Sequence, residues 1–134
     1  MANTFTVSID IAAPPEAVWE VVGGRDQVPR WYPQYTGSVT DGDVRVLTRA
    51  DGTELTERLL ERDERRRFFS YSVVSGAPLR RHRASFEVQD DGSGGSRVLW
   101  RTEGEPLDEG ADLEARLAGR QRSALEGLRA LFGG

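Results

Sequence analysis

Three side chains in the middle of the chain are suited to acid–base chemistry: Glu57, Tyr71 and His82, the last being the one histidine of the chain. Each lies in a segment where apolar and polar residues alternate, so each shares a strand face with apolar neighbours. A carboxylate there can act as a general base, and a phenol can donate a hydrogen bond to a carbonyl or enolate oxygen. Histidine can carry a proton near neutral pH. Together these groups suit proton removal beside a carbonyl, as in aldol-type cyclisation or dehydration.

Turn geometry predicts which way Glu57 points. We interpret residues 51–52, Asp-Gly, as a two-residue hairpin turn, so that Ala50 pairs with Thr53. Arg45 then points outward, although a register shifted by one residue would turn it inward beside Glu57. Counting from this turn, the inward face of the two strands carries Val44, Val46, Thr48, Leu55, Glu57 and Leu59. A carboxylate on this face must be paired or neutralised.

The following strands extend the polar row. Matching inner faces across the charged turn puts Tyr71 opposite Glu57, with Phe69 and Val73 also inward. One allowed register then sets His82 beside Tyr71, and the other sets it beside Val73. Neighbouring strands lie about 4.8 Å apart, so the first register forms a continuous row of the three polar side chains. The same strand as His82 points three apolar residues inward: Ala84, Phe86 and Val88.

Each of these residues also has a structural interpretation. An inward glutamate with a tyrosine partner can be a structural hydrogen bond, and a lone histidine on an apolar face can simply pack there. Aromatic residues serve as ordinary core as readily as they contact a ligand. We predict that the residues contacting a ligand are Trp31, Tyr35, Val46, Phe69, Phe86, Trp100 and Leu117.

The elements that position these side chains follow from periodicity. Strict alternation predicts a strand over residues 4–11, a short helix follows over 16–22, and a further turn or short helix over 26–31. From 34 to 103 the pattern is almost entirely strand, interrupted by regular turn signals, which predicts a six-stranded antiparallel meander. Apolar residues three or four positions apart predict an amphipathic helix over residues 111–132. We therefore expect one α+β domain over residues 1–134.

The terminal helix must lie on something, because one amphipathic helix cannot bury its apolar stripe alone. A curved sheet wrapped around it is the simplest way to bury both apolar faces. Its apolar stripe contains Leu113, Leu117, Ala124, Leu128 and Leu131. Gly119 and Gly127 weaken the helix, so we expect another element to pack closely against the backbone at both positions.

Composition excludes several kinds of chemistry. The chain has no cysteine and no lysine, which removes thiolate nucleophiles, zinc–cysteine sites and Schiff-base chemistry. With one histidine we expect no metal site, and no glycine-rich loop suggests a cofactor. A net charge of −4 gives no reason to expect nucleic acid. The chain lacks a long apolar run and a signal-peptide pattern, so we expect a cytoplasmic protein with no membrane insertion.

The order of elements resembles the START-like helix-grip superfamily, also called SRPBCC, and within it the polyketide cyclase/dehydrase and lipid-transport branch. The residues that carry the resemblance span most of the chain. They are the segment from Ile11 to Trp19, the segment from Trp31 to Pro33, Asp51 and Gly52, the segment from Glu57 to Leu59, Tyr71, Pro78, Trp100, Gly127 and Leu128.

The resemblance implies a helix-grip fold: a seven-stranded curved antiparallel sheet around a long C-terminal helix, two short helices between strands 1 and 2, and an internal ligand cavity. It also implies a cofactor-independent cyclase or dehydratase that takes a small hydrophobic or aromatic, poly-carbonyl molecule. Glu57, Tyr71 and His82 are then the candidate catalytic residues. The alternatives are a non-catalytic carrier of a lipid or other hydrophobic ligand, and a protein that acts through a partner. A monomer or a homodimer fits either.

Overall fold

A single antiparallel sheet curves over a long helix. Within residues 3–108 and 110–134, which the computed structural model describes, the chain forms seven strands and three helices. In chain order these are β1 (Asn3–Ile11), α1 (Pro15–Val22), α2 (Val28–Trp31), β2 (Tyr35–Asp41), β3 (Val44–Arg49), β4 (Glu54–Asp63), β5 (Phe68–Ser75), β6 (Leu79–Asp90), β7 (Ser96–Pro106) and α3 (Leu113–Ala130).

The sheet order is β1-β7-β6-β5-β4-β3-β2, with antiparallel pairing between neighbours. Strands β2 to β7 are therefore the predicted meander, and β1 joins it beside β7. The predicted helix-grip α+β fold is confirmed, including the two short helices between the first two strands. Among the helices in the described part of the chain, none is long and apolar enough to cross a membrane.

Helix α3 lies along β1 and β7 and also contacts α2. It begins where Asp112 accepts a hydrogen bond from the backbone N–H of Ala115 at 3.3 Å, which satisfies one of the free donors of the first turn. Its buried face is contributed by Leu113, Ala118, Gln121, Ala124, Leu125 and Leu128. Leu131, predicted to extend this stripe, follows the end of the helix and is 39% exposed.

The two glycines of α3 have different surroundings. A Cβ at Gly127 would lie 2.5 Å from the carbonyl oxygen of Trp31, so only glycine lets α2 approach α3 this closely. The prediction of a close contact is therefore confirmed at Gly127. It is wrong at Gly119, which is exposed and has no atom within 4 Å of a Cβ position. Helical spacing distinguishes the two positions, because Gly127 lies beside the apolar stripe whereas Gly119 lies on the exposed side of the helix.

The β3–β4 hairpin differs from the predicted two-residue turn. The N–H of Arg49 donates to the carbonyl of Thr53 at 2.8 Å, so the loop contains three residues, 50–52. Gly52 has a φ of +87°, which suits the left-handed position that closes a three-residue hairpin loop. One extra loop residue shifts the pairing by one, and a shift by one reverses which side chains of β3 face the interior.

The shifted register turns Arg45 and Leu47 inward, opposite Glu57 and Leu55. Both inward residues are buried, with exposed fractions of 6% and 2%. Val46 lies between them on the other face of the sheet, so the prediction that Val46 points inward, on which its ligand contact depended, is wrong. The alternative register, with Arg45 beside Glu57, is the one that the protein adopts.

Candidate functional site

An internal cavity of about 160 Å³ lies between the inner face of the sheet, α2 and α3. Its lining includes all three predicted acid–base residues, Glu57, Tyr71 and His82. Of the seven predicted ligand contacts, every one except Val46 also lines it: Trp31, Tyr35, Phe69, Phe86, Trp100 and Leu117. The structure thus brings residues from five strands and two helices to one space. Alternation within each strand points the strand side chains to the same side.

Aromatic rings form much of the cavity wall. Phe86 and Trp100 stack with ring centroids 4.5 Å apart, and Phe69 stacks on Phe86 at 5.4 Å. The ring of Trp31 meets Phe86 and Trp100 edge-on, at 5.9 and 6.3 Å. Offset and edge-on arrangements are the favoured geometries of aromatic pairs, so these walls are well packed rather than loose. They suit a flat, apolar ligand.

Glu57 is held by Arg45 from the facing strand. The Nε and Nη2 of Arg45 donate to Oε1 of Glu57 at 3.0 and 2.5 Å, while Nη1 donates to the carbonyl of Arg25 at 3.1 Å. Both side chains are buried, and each would be costly to bury without the other. Within the described part of the chain, every hydrogen bond to Glu57 ends on Oε1, which leaves Oε2 without a protein donor.

Tyr71 is a protonated phenol whose O–H can still donate a hydrogen bond. Its oxygen accepts a hydrogen bond from Nε1 of Trp100 at 3.1 Å, so its own O–H remains available to donate. Burial raises the pKa of Tyr71 well above its ordinary value, and the negative charge of Glu57 raises it further. The phenol is therefore a hydrogen-bond donor at physiological pH, not a base.

His82 is a neutral imidazole. Its Nδ1 accepts a hydrogen bond from the backbone N–H of Val73 at 3.0 Å, which a protonated ring cannot do, so the proton resides on Nε2. Burial also lowers the pKa of His82 to about 4. This geometry disfavours the predicted proton shuttle at neutral pH and makes His82 a second neutral donor. Its ring lies 5.7 Å from that of Tyr71, measured between centroids.

The three acid–base residues do not form the straight row that was predicted. Glu57 lies opposite Val73, and Tyr71 lies opposite Leu59, because the β4–β5 pairing is irregular on both sides of this segment. Of the two registers left open for His82, its bond to Val73 agrees with the second. The residues still line one cavity, because a register shift of two residues keeps every side chain on its face.

Sequence reasoning missed a polar group on α3. Gln121 lines the cavity, is 5% exposed, and donates from Nε2 to the hydroxyl of Thr102 at 3.0 Å. A signal for it existed, because Gln121 lies four residues after Leu117 and three before Ala124, on the apolar stripe of the helix. Tyr32, next to the predicted Trp31, also lines the cavity and was not singled out.

The cavity opens to solvent at an end that we call the mouth, lined by Gln34, Arg49, Arg116 and Arg120. Arg116 and Arg120 are exposed, and the other two are half-buried. Just inside lie two tyrosines, Tyr32 and Tyr35. Burial raises the pKa of both phenols, whereas the nearby charges of Arg49 and Arg120 act in the opposite direction.

A sheet curved over a long helix, with a cavity between them, defines the helix-grip class of ligand-binding folds. Residues 2–133 match the sequence profile of the polyketide cyclase/dehydrase and lipid transport family, and the chain belongs to that family. The resemblance inferred from its motifs is therefore confirmed over nearly the whole chain. No curated protein matches the chain in sequence.

Solved structures with the same fold extend the comparison. An uncharacterised protein from Bacillus thuringiensis is 26% identical, with a TM-score of 0.88 over 97% of this chain and 98% of that one. Norcoclaurine synthase from Thalictrum flavum, in complex with dopamine and hydroxybenzaldehyde, is 15% identical, with a TM-score of 0.73 over 98% and 86%. The di-domain ARO/CYC BexL from the BE-7585A biosynthetic pathway is 18% identical, with a TM-score of 0.80 over 96% and 45%. The last two likenesses concern the fold alone.

Proposed function

We propose that this protein binds a small hydrophobic or aromatic molecule with carbonyl groups in its cavity and promotes its cyclisation or dehydration by acid–base chemistry. The observation that carries the proposal is that a buried carboxylate, Glu57, and two neutral donors, Tyr71 and His82, line one aromatic-walled cavity. A protein of the same fold, norcoclaurine synthase, is complexed with small aromatic molecules, which supports the ligand class.

The proposed reaction begins with proton transfer to Glu57. Its carboxylate removes a proton from the carbon beside a carbonyl, and the electron pair moves to the carbonyl oxygen. Tyr71 O–H and His82 Nε2–H donate hydrogen bonds to that oxygen and stabilise the enolate. The enolate carbon then attacks a second carbonyl and forms the new carbon–carbon bond, and the alkoxide that results takes the proton back from Glu57. For dehydration, Glu57 removes a further proton from the same carbon, the re-formed enolate expels the β-hydroxyl group, and that group takes the proton from Glu57 and leaves as water.

Arg45 has a defined part in this proposal. It orients the Glu57 carboxylate through Oε1 and leaves Oε2 as the atom that takes the proton. Arg45 is thus a positioning residue, because it acts through Glu57.

A carrier that releases its ligand unchanged is the alternative, and one observation favours it. Arg45 already satisfies the charge of Glu57, so the carboxylate can serve the structure without any reaction. In this second proposal Tyr71 and His82 only orient the polar group of the ligand. The family description includes lipid transport as well as cyclisation, which agrees with either function.

Incubation with a hydrophobic metabolite extract and a panel of small poly-carbonyl compounds tests both proposals. Mass spectrometry and chromatography then identify what the protein retains and what it releases. A retained compound that returns lighter by one water, or with equal mass and a new retention time, supports catalysis. A retained compound that always returns unchanged contradicts catalysis and supports the carrier.

The matched control fills the cavity. Leu117 lines it from α3 and is only partly buried, so Leu117→Trp places a large ring there with less overpacking than a change in the core. We expect retention to be lost in this variant while its unfolding transition stays close to that of the wild type. Equal retention by a folded Leu117→Trp protein would mean that the ligand does not bind in the cavity.

A further inference from the structure

The mouth places three positive charges beside an apolar cavity, on a chain whose net charge is −4. Arg49 reaches it from β3, and Arg116 and Arg120 reach it from one face of α3, four residues apart. Arginines at the edge of an apolar cavity can cover it with their aliphatic stems while their guanidinium groups remain in water. The partners of these groups decide between such packing and a role in binding.

Within the part of the chain that the structure describes, two of the three arginines donate hydrogen bonds only to neutral groups. Arg49 donates to the hydroxyl of Thr53 at 3.3 Å and to the carbonyl of Gly76 at 3.0 Å, and Arg120 donates to the side-chain oxygen of Gln34 at 3.4 Å. Across residues 3–108 and 110–134, no carboxylate lies within ion-pair distance of either guanidinium group. Arg116 has one exposed partner, Asp108, at 3.7 Å.

Other arginines of the sheet are paired with carboxylates. Arg81 lies 2.7 Å from Glu105, and Arg97 lies 2.8 Å from Asp10. Arg45, in the interior, is paired with Glu57. Arg49 and Arg120 therefore differ from these arginines in having donors that no anion of the described chain uses. A planar guanidinium binds a carboxylate especially well, through two parallel hydrogen bonds.

We infer that the mouth binds the carboxylate of a small aryl carboxylate whose ring enters the cavity. This inference rests on the proposed function for the presence of a ligand and adds the class of that ligand. The cavity volume of about 160 Å³ agrees with a small ring system, since an apolar cavity of ~150 Å³ holds one benzene molecule. Tyr32 and Tyr35, just inside the mouth, contact the ring next to its carboxylate.

Calorimetry with paired probes tests this inference. Phenylacetate and hydrocinnamate are compared with their neutral amides, which have nearly the same shape. We expect the acids to bind about tenfold more tightly or better than the amides, because hydrogen bonds to a charged group contribute more than neutral ones. The preference should decrease as salt is added, because the mouth is open to solvent.

Two variants test whether the arginines of the mouth cause the preference for the acid over the amide. The double variant Arg49→Gln, Arg120→Gln should bind acid and amide alike, because it keeps long polar side chains and removes both charges. Arg101→Gln is the matched control, because Arg101 is exposed on β7 and its neighbours Trp100 and Thr102 are the residues that face inward. It should keep the full preference for the acid.

Equal affinity of wild-type protein for an acid and its amide would overturn the carboxylate assignment while leaving the cavity intact as a ligand site. A preference that survives in the double variant would overturn it as well. Binding of neither probe pair would also overturn it, and the metabolite-retention experiment would then decide the proposed function independently.

Discussion

The buried side chains of Glu57 and Arg45 depend on each other, because each supplies the opposite charge that the other needs in the interior. Glu57 could be recognised from the sequence as a carboxylate on an apolar strand face that needs a partner. The partner was left open, since Arg45 points outward or inward according to a single residue in the hairpin loop. Such residue-level detail depends on loop length, and Asp-Gly suits both a two-residue turn and a three-residue loop with glycine last.

Replacing one member of this pair should destabilise the folded protein more than replacing both. We expect Arg45→Gln to lower the free energy of unfolding by about 3–5 kcal/mol, because it leaves Glu57 buried without its countercharge. Urea denaturation at neutral pH measures this change.

The double variant Arg45→Gln, Glu57→Gln should recover most of that loss, because two amides can hydrogen-bond to each other without a buried charge. If the double variant were as unstable as Arg45→Gln or less stable, the unpaired carboxylate would not be the cause.

His82 should make the protein less stable in mild acid. Its pKa is about 4 in the folded protein, below the ordinary value of 6.5, so the unfolded chain binds a proton more readily. The contribution of the neutral His82 imidazole to the free energy of unfolding is complete above pH 6.5 and is lost progressively as pH falls from 6.5 towards 4. The full loss is about 3 kcal/mol. Denaturant unfolding at a series of pH values measures it.

The control is His82→Gln, whose side-chain oxygen can still accept from the N–H of Val73. The carboxylates titrate in both proteins, so the difference between their pH profiles isolates His82. We expect the two profiles to diverge below pH 6.5, with the wild type falling more steeply. Parallel profiles over this range would contradict a buried, neutral histidine.

At the scale of elements, the close crossing of α2 over α3 makes one glycine necessary and leaves another replaceable. Gly127→Ala should destabilise the protein, because the new methyl group would lie 2.5 Å from the carbonyl oxygen of Trp31. Gly119→Ala should stabilise it by about 0.5–1 kcal/mol, the usual gain for alanine at an exposed helical site. Thermal unfolding of both variants measures the difference, and equal effects would contradict the packing described at the crossing.

Strand periodicity predicted the elements well and their registers less well. Alternation correctly placed Phe69 and Tyr71 on β5 and Phe86 on β6, because burial of one face enforces a period of two. Pairing between strands depends on bulges and loop lengths, which leave little trace in composition. For this reason Tyr71 lies opposite Leu59 instead of Glu57, although both remain inward.

At the scale of the whole molecule, the fold was predictable because the helix and the sheet can bury their apolar faces only against each other. An amphipathic terminal helix and a meander with one apolar face bury their surfaces together in few ways. Most side chains of the cavity wall were predictable from the same alternation. Val46 was predicted there but points outward. Three residues line the cavity without having been predicted to do so: Tyr32, Arg45 and Gln121. The arginines of the mouth were not, because an exposed arginine on a helix usually belongs to the solvated face, and only the packing shows that Arg116 and Arg120 border a cavity.

Deuterium exchange into a carbonyl compound tests the central claim, that Glu57 removes a proton beside a carbonyl bound in the cavity. Benzylacetone, a small aryl ketone, is incubated with the protein in deuterium oxide, and mass spectrometry follows the label. The reference protein is the double variant Arg45→Gln, Glu57→Gln, since it removes the base without leaving a buried unpaired charge. Its fold is verified first by circular dichroism.

We expect wild-type protein to accelerate exchange above the protein-free rate, and Leu117→Trp, with its filled cavity, to lose that acceleration. The double variant should be slower than wild type by a factor of about 10²–10⁴, the usual contribution of a positioned general base. Exchange at the wild-type rate in the folded double variant, or no acceleration by wild-type protein, would contradict the assignment of Glu57 as the base.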